Sequence, residues 1–143
     1  LILAVHGADF LGSTNMPAWA LLTSIILVSS LLNLFIGSAS AKWALIAPVM
    51  VPMLMLLGIS PEMATAAYRV GDGATNIITP LMVYFPLILI FCQRWQSNFG
   101  LGSLAATMLP YSIGLLLSGL AMTIFWVVLD LPLGPGASVF YSL

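Results

Sequence analysis

The feature that most constrains this chain is the length of its uncharged stretches. No formal charge falls between Phe10 and Ala41, between Gly73 and Gln93, or between Trp95 and Leu129. Each stretch can hold an apolar helix of about 20 residues, enough to cross a bilayer core of about 30 Å. A water-soluble domain needs polar residues to cover its outside, and ordinary chains are about 25% charged. Here 5% of residues are charged and 62% are hydrophobic, with a mean hydropathy of +1.16. The chain therefore reads as an all-α polytopic membrane protein, with the lipid bilayer as its surroundings. A net charge of −1 offers no electrostatic basis for binding nucleic acid. No basic region, short apolar core and cleavage site stand at the start, so a signal peptide does not explain the hydrophobicity. The first residue is Leu1 rather than Met, which leads us to expect a fragment of a longer protein, residues 1–143 forming a single membrane domain.

Helix signals divide the chain. Residues 1–11 are apolar with His6 and Asp9 interspersed, either an interfacial helix or the tail of a span. Asn15 precedes Met16-Pro17, a suitable helix start because proline is tolerated in the first turn. An apolar helix over Pro17–Ile36 follows, then the small-residue run Gly37-Ser38-Ala39-Ser40-Ala41 before Lys42. The next apolar segment, Trp43–Leu57, gives only about 22 Å of helix, short for a crossing. A long helix and a short one around a small polar tip suggest a re-entrant hairpin over residues 17–57; two ordinary spans joined by a tight loop are the alternative. Ser60-Pro61-Glu62 carries a cap, a first-turn proline and an acid at the positive helix end. That helix is expected to stop near Val70, where Gly71-Asp72-Gly73-Ala74-Thr75-Asn76 interrupts it, and to resume from Ile77 to Cys92. Residues 61–93 thus have the form of a broken transmembrane helix, allowed only where protein or a water-filled cavity satisfies the unwound backbone. The last span is expected over residues 104–129, with Pro110 inside it. Arg94, in the polar loop Gln93–Asn98, places that loop in the cytoplasm by the positive-inside rule, and Trp95 reads as an interfacial anchor.

Two breaks between apolar helices form the usual architecture of a secondary transporter site, where helix ends and unwound carbonyls bind substrate and ions. Arg69 and Asp72 are the sharpest signal. Their spacing of three brings them near one another on a helix, and a charge at membrane depth costs about 2.5–3.5 kcal/mol on insertion scales. Either they form a silent ion pair, or Asp72 binds a cation or proton while Arg69 meets an anionic substrate group or tunes the aspartate. Asn33 either bonds a neighbouring helix or ligates an ion through its amide oxygen. Ser40 is a cap or a site residue, and Trp43 a packing aromatic or a site residue. Thr75 and Asn76 read as caps of the resuming helix, and Pro61 and Pro80 as start and kink residues. Lys42 is expected to reach out to water. Met50, Met53 and Met55 are adaptable packing without His or Cys beside them. The single cysteine, Cys92, excludes an intrachain disulfide and a multi-cysteine metal site. No nucleophile–base pair is visible, so the chain does not read as an enzyme and implies no organic cofactor.

Asn33-Leu-Phe-Ile-Gly-Ser-Ala-Ser-Ala-Lys-Trp43, Tyr68-Arg-Val-Gly-Asp-Gly-Ala-Thr-Asn76 with Ile77-Ile-Thr-Pro80, and Leu131-Pro-Leu-Gly-Pro-Gly-Ala137 together resemble the C-terminal part of the p-aminobenzoyl-glutamate (AbgT) transporter family. The resemblance covers nearly the whole chain. It implies the second half of an inverted-repeat transporter with paired re-entrant hairpins, a homodimer of the bacterial inner membrane. It implies uptake of p-aminobenzoyl-glutamate or efflux of sulfonamide-type antimetabolites, driven by a Na⁺ or H⁺ gradient. Asn33 and Asp72 would then belong to the cation site, a possible Na⁺ site. Ser40, Trp43, Pro61, Arg69 and Pro80 would line or shape the path of a small aromatic carboxylate. Gly73-Ala74 departs from the serines of some relatives. The competing readings are a structural membrane subunit, whose polar breaks only fix packing, and an ion channel without a coupled substrate.

Overall fold

Serine and proline set where the helices begin, and the apolar runs set how far they extend. In the computed structural model, which describes residues 2–141, six α-helices follow one another: α1 (Ile2–Ser13), α2 (Ala18–Asn33), α3 (Ala39–Leu56), α4 (Pro61–Thr75), α5 (Phe85–Gln93) and α6 (Leu101–Val128). A single 3-10 turn, Asn76–Ile78, follows α4. Only two isolated β-bridges occur among the described residues. Leu1, the first residue of the apolar opening stretch, lies outside them. Asn15 does not open α2 as expected. It sits in the left-handed region at φ 48°, which asparagine tolerates, and turns the chain after α1; Pro17 directly precedes the first residue of α2.

Several boundaries differ from the sequence reading, among them that of the resuming helix, which starts at Phe85 rather than Ile77. Helix α2 ends at Asn33 rather than Ile36, and α3 starts at Ala39 rather than Trp43. The cause is Ser38, whose Oγ accepts the Ala41 N–H at 3.3 Å and so recruits Ala39–Lys42 into the first turn. Ser40, weighed as that cap, is exposed on the turn instead. Helix α3 therefore has 18 residues against 16 in α2, about 27 Å and 24 Å, so the expected long-then-short contrast is absent. Helix α4 runs unbroken through Gly71-Asp72-Gly73 to Thr75. The break falls later, across the 3-10 turn and the non-helical residues 79–84.

Helices α3 and α6 are long and apolar enough to cross a membrane. Large apolar side chains face outward along α5 and α6, among them Leu87, Ile90, Phe91, Ile113 and Leu117. The interior carries the polar residues: Ser29, Ser30, Asn33, Lys42, Asp72, Thr75, Thr79 and Ser112 are all buried. An apolar exterior over a partly polar interior suits lipid, where exposed hydrocarbon costs nothing and polar groups need protein partners.

Helix α2 packs on α4, and α4 in turn on α6, while α3 leans on α1 and α4. Gly71 permits the α2–α4 approach. A Cβ there would stand 2.4 Å from the Ile26 carbonyl oxygen and 3.0 Å from Ser29 Cβ. Gly37 does the same at the hairpin tip, where a Cβ would meet the Leu81 carbonyl oxygen at 2.7 Å. The tip of the α2–α3 hairpin therefore touches the break after α4. At the opposite end the C-terminal segment clasps the α3–α4 turn. Ser60 N–H donates to Val139 O at 3.0 Å and Tyr141 N–H to Gly58 O at 2.8 Å. Ser60 Oγ both accepts the Met63 N–H at 3.2 Å and donates to Ser138 O at 2.6 Å.

These packing distances separate two neighbouring glycines. Gly71→Ala should lower stability by about 1–3 kcal/mol, as overpacking against rigid backbone does. Gly73→Ala, with nothing within 4 Å of the added carbon, should be neutral or raise stability by up to about 1 kcal/mol through helix propensity. Thermal and denaturant unfolding in detergent would check both; equal effects would show that the α2–α4 contact does not discriminate them.

Candidate functional site

The polar interior converges on the C-terminal half of α4, whose carbonyls are met by side chains of other helices. Ser29 Oγ donates to Tyr68 O at 2.9 Å. Ser30 Oγ donates to Gly71 O at 3.2 Å as well as to Ile26 O within its own helix. Asn33 Nδ2 points to Asp72 O at 3.0 Å, and Ser112 Oγ of α6 donates to Ala74 O at 2.6 Å. Thr79 Oγ1 lies within bonding distance of Thr75 O and of Asn33 O, the end of α2. Residues 29, 30 and 33 share one face of α2, so the helix offers α4 a polar stripe inside an apolar rod.

At the centre of this network lies an ion pair. Lys42 Nζ donates to Asp72 Oδ1 and to Asn33 Oδ1. The Lys42 side chain is fully buried and that of Asp72 is 3% exposed. The expectation that Lys42 reaches water is thereby corrected: starting α3 at Ala39 turns position 42 inward, toward the carboxylate. The ammonium also fixes the Asn33 amide, whose oxygen must face a donor-only group. Its nitrogen then faces Asp72 O, Thr75 Oγ1 at 2.9 Å and Asn76 Oδ1 at 2.8 Å, three acceptors for two hydrogens. Thr75 and Asn76 thus close α4 and bond α2; they do not cap a resuming helix.

Arg69 and Asp72 do not pair. Asp72 turns to Lys42, and Arg69 is exposed with no side-chain hydrogen bond or ion pair among the described residues. Arg69 instead borders an open groove of about 490 Å³ between α4 and α6, with Gly73, Ser118 and Gly119. Trp43 is half-buried against Tyr68, ring centroids 4.7 Å apart at 38°, and Tyr68 Oη donates to Ala39 O at 2.9 Å, pinning the start of α3 to α4. Pro61 is the first residue of α4. Pro80 lies exposed in the break, following a turn rather than kinking a helix. The structure thus brings together Asn33 and Asp72, and sets Ser40, Arg69 and Pro80 on exposed surface. A separate apolar cleft of about 460 Å³ between α2 and α3, lined by Leu21, Ile25, Val28, Leu45 and Val49, carries none of this chemistry and suits hydrocarbon.

Asn33 Oδ1 and Asp72 Oδ1 are hard donors of the kind Na⁺ takes. With Lys42 seated, both already serve its ammonium, and no cluster of three acidic, His or Cys side chains exists among the described residues. The arrangement therefore does not fit a Na⁺ ion while Lys42 stays in place. Sequence reasoning missed Lys42, Ser29, Ser30, Tyr68 and Ser112. The spacing of Ser29, Ser30 and Asn33 on one helix face was the available signal for α2.

Comparison with known proteins follows this geometry. Residues 1–141 match the model of the "AbgT putative transporter family". The chain is 37% identical over 134 residues to the p-aminobenzoyl-glutamate transport protein of Escherichia coli, covering 94% of this chain and 26% of that protein. It is similar in structure to the Alcanivorax borkumensis YdaH transporter, at TM-score 0.90 and 55% identity over 94% of this chain and 29% of that one. Neisseria gonorrhoeae MtrF, of a class of antimetabolite efflux pumps, gives TM-score 0.84 and 47% identity over 95% of this chain and 27% of that one. The chain thus spans about a quarter of the length of these relatives, which are transporters and not enzymes.

The ion pair predicts a non-additive mutant cycle. Asp72→Leu alone leaves a buried ammonium without its counter-charge and should cost about 3–5 kcal/mol. Adding Lys42→Met should recover most of that loss, because a buried pair replaced by apolar residues is close to neutral. Unfolding midpoints of both singles and the double variant would measure the coupling; additive losses would show that the two charges do not interact.

Proposed function

This chain belongs to the AbgT family of transporters, membrane proteins, and on that footing we propose that it forms the C-terminal part of a secondary transporter driven by an ion gradient, with Na⁺ or H⁺ as the coupling ion. The substrate class is a small aromatic carboxylate: p-aminobenzoyl-glutamate, or related sulfonamide-type antimetabolites moved outward. The observation that carries this reading is the buried meeting of Asn33, Lys42 and Asp72 where the hairpin tip reaches the end of α4. Charged residues at membrane depth are expensive and mark ion and substrate paths.

The tip's place beside Leu81 supports a re-entrant hairpin. If α4 and α5 are two halves of one crossing, their break lies near mid-depth, and a tip touching the break returns without crossing. Such a hairpin and a broken helix would be repeated, inverted, in the remainder of the protein, placing the chain in the second half of an inverted-repeat transporter of the bacterial inner membrane and in a homodimer. Asp72 and Asn33 would carry the ion-linked step. Arg69, without a side-chain partner among the described residues and bordering an open groove, would receive the substrate carboxylate, a charge-assisted contact that guanidinium geometry favours. Trp43 would give the aromatic ring a face, with Ser40, Pro61 and Pro80 shaping the path.

Flux in vesicles of the intact transporter tests the proposal. p-Aminobenzoyl-glutamate and a sulfonamide would be followed under a Na⁺ gradient and under a pH gradient, each imposed separately. Movement of either compound is expected with one gradient and not with the other. Arg69→Gln should cut that flux at least tenfold while leaving the unfolding temperature unchanged, since the exposed side chain has no hydrogen bond or ion pair among the described residues. Full flux in a folded Arg69→Gln variant would remove Arg69 from the substrate path. Substrate-independent conductance would favour a channel, and absence of any movement a structural subunit.

A further inference from the structure

We propose that Lys42 is a tethered cation that shares the Asn33–Asp72 seat with a free monovalent cation, the two occupying it in turn and never together. The proposal deepens the transport reading, because it assigns a competitor to the ion-linked step, but the exclusion is a property of the seat itself.

Three observations carry it. First, the oxygens that would receive a free cation, Asn33 Oδ1 and Asp72 Oδ1, are the acceptors of Lys42 Nζ. The Asn33 amide has one oxygen, and it cannot turn that oxygen to a second cation, because its nitrogen is held toward Asp72 O, Thr75 Oγ1 and Asn76 Oδ1. Second, charge fixes the stoichiometry. One carboxylate balances one cation in a seat whose side chains are buried. A second cation beside Lys42 would leave a net positive charge in apolar surroundings, which the membrane interior disfavours. Third, the seat leaves Lys42 one donor short of a partner. An ammonium has three donor hydrogens, and two protein acceptors are described for it. Its flexible four-carbon stem rises from the first turn of α3, where Ser38, Ser40 and Ala41 are exposed. Release of the head would need only the side chain to move past this exposed first turn, with the backbone of α3 still pinned by Tyr68.

The test uses the intact transporter in detergent, with Na⁺ as the probe and choline at equal ionic strength as the control. The half-saturating Na⁺ concentration is read from the rise in unfolding temperature. Lys42→Met should bind Na⁺ at least tenfold more tightly than wild type, because its competitor is gone, and Lys42→Met/Asp72→Asn should lose that binding. Equal or weaker Na⁺ binding in Lys42→Met would overturn the proposal and leave Lys42 a structural counter-ion. A second measurement needs no variant. Lys42 is the only lysine of this chain, so its peptide can be followed by mass spectrometry after brief treatment with an amine-directed reagent. Na⁺, and not choline, should raise its labelling severalfold in the wild-type protein; unchanged or reduced labelling would also overturn the proposal. Neither readout requires substrate movement, so failed flux and failed competition are distinguishable.

Discussion

In hydrocarbon a charged group has only the protein to bond with, and the contact between Lys42 and Asp72 shows how far that requirement organises the fold. The carboxylate sits on α4, the ammonium on α3, and the amide that shares the ammonium on α2. Three helices that are separate in sequence must therefore meet at one point. Their approach needs room, which Gly71 provides beneath Ile26 and Gly37 beside Leu81. Around the pair the buried polar side chains find protein partners. Among the described residues Trp126 Nε1 is the one buried side-chain nitrogen or oxygen without a partner. A charge pair of this kind is a poor source of stability when compared with apolar packing, but half of it alone is strongly destabilising. It therefore holds the three helices to a single arrangement.

The same physics explains what could be read from the sequence. Scarcity of charge identified the surroundings, because no soluble surface can be made from long uncharged runs. Ser60 and Pro61 marked the start of α4 correctly, since a cap and a first-turn proline act locally. The helix through Gly71-Asp72-Gly73 was not legible. Two glycines in a polar run predict a break by propensity, yet here Gly71 serves close packing against α2, and neighbouring side chains support the helix. Tertiary contact overrode local preference. Lys42 failed for a related reason: read as a tip residue before a helix starting at Trp43, it lies instead in the first turn of a helix starting at Ala39. The Ser38 cap that makes the shift was hidden within a run of small residues that all resemble caps.

Asn33 and Asp72 were identified from chemistry, as polar residues in apolar helices, and the structure places them in contact through the Asp72 carbonyl. Their shared partner was not identified. The sequence pairs Arg69 with Asp72 by spacing alone, whereas the fold separates their roles. Arg69 sets its guanidinium beside a groove, and Asp72 takes the lysine that chain topology brings from thirty residues upstream.

The ties between α4 and its neighbours have one further property. They run mainly from the hydroxyls of Ser29, Ser30 and Ser112 to backbone oxygens. A hydroxyl turns about a single bond and can follow a moving acceptor, as a backbone N–H within a ladder cannot. Helix α4 is thus held on swivels rather than rivets. These hydroxyls re-aim to suit the height of each carbonyl, while the Lys42–Asp72 pair and the Asn33 amide keep the register of α4 fixed.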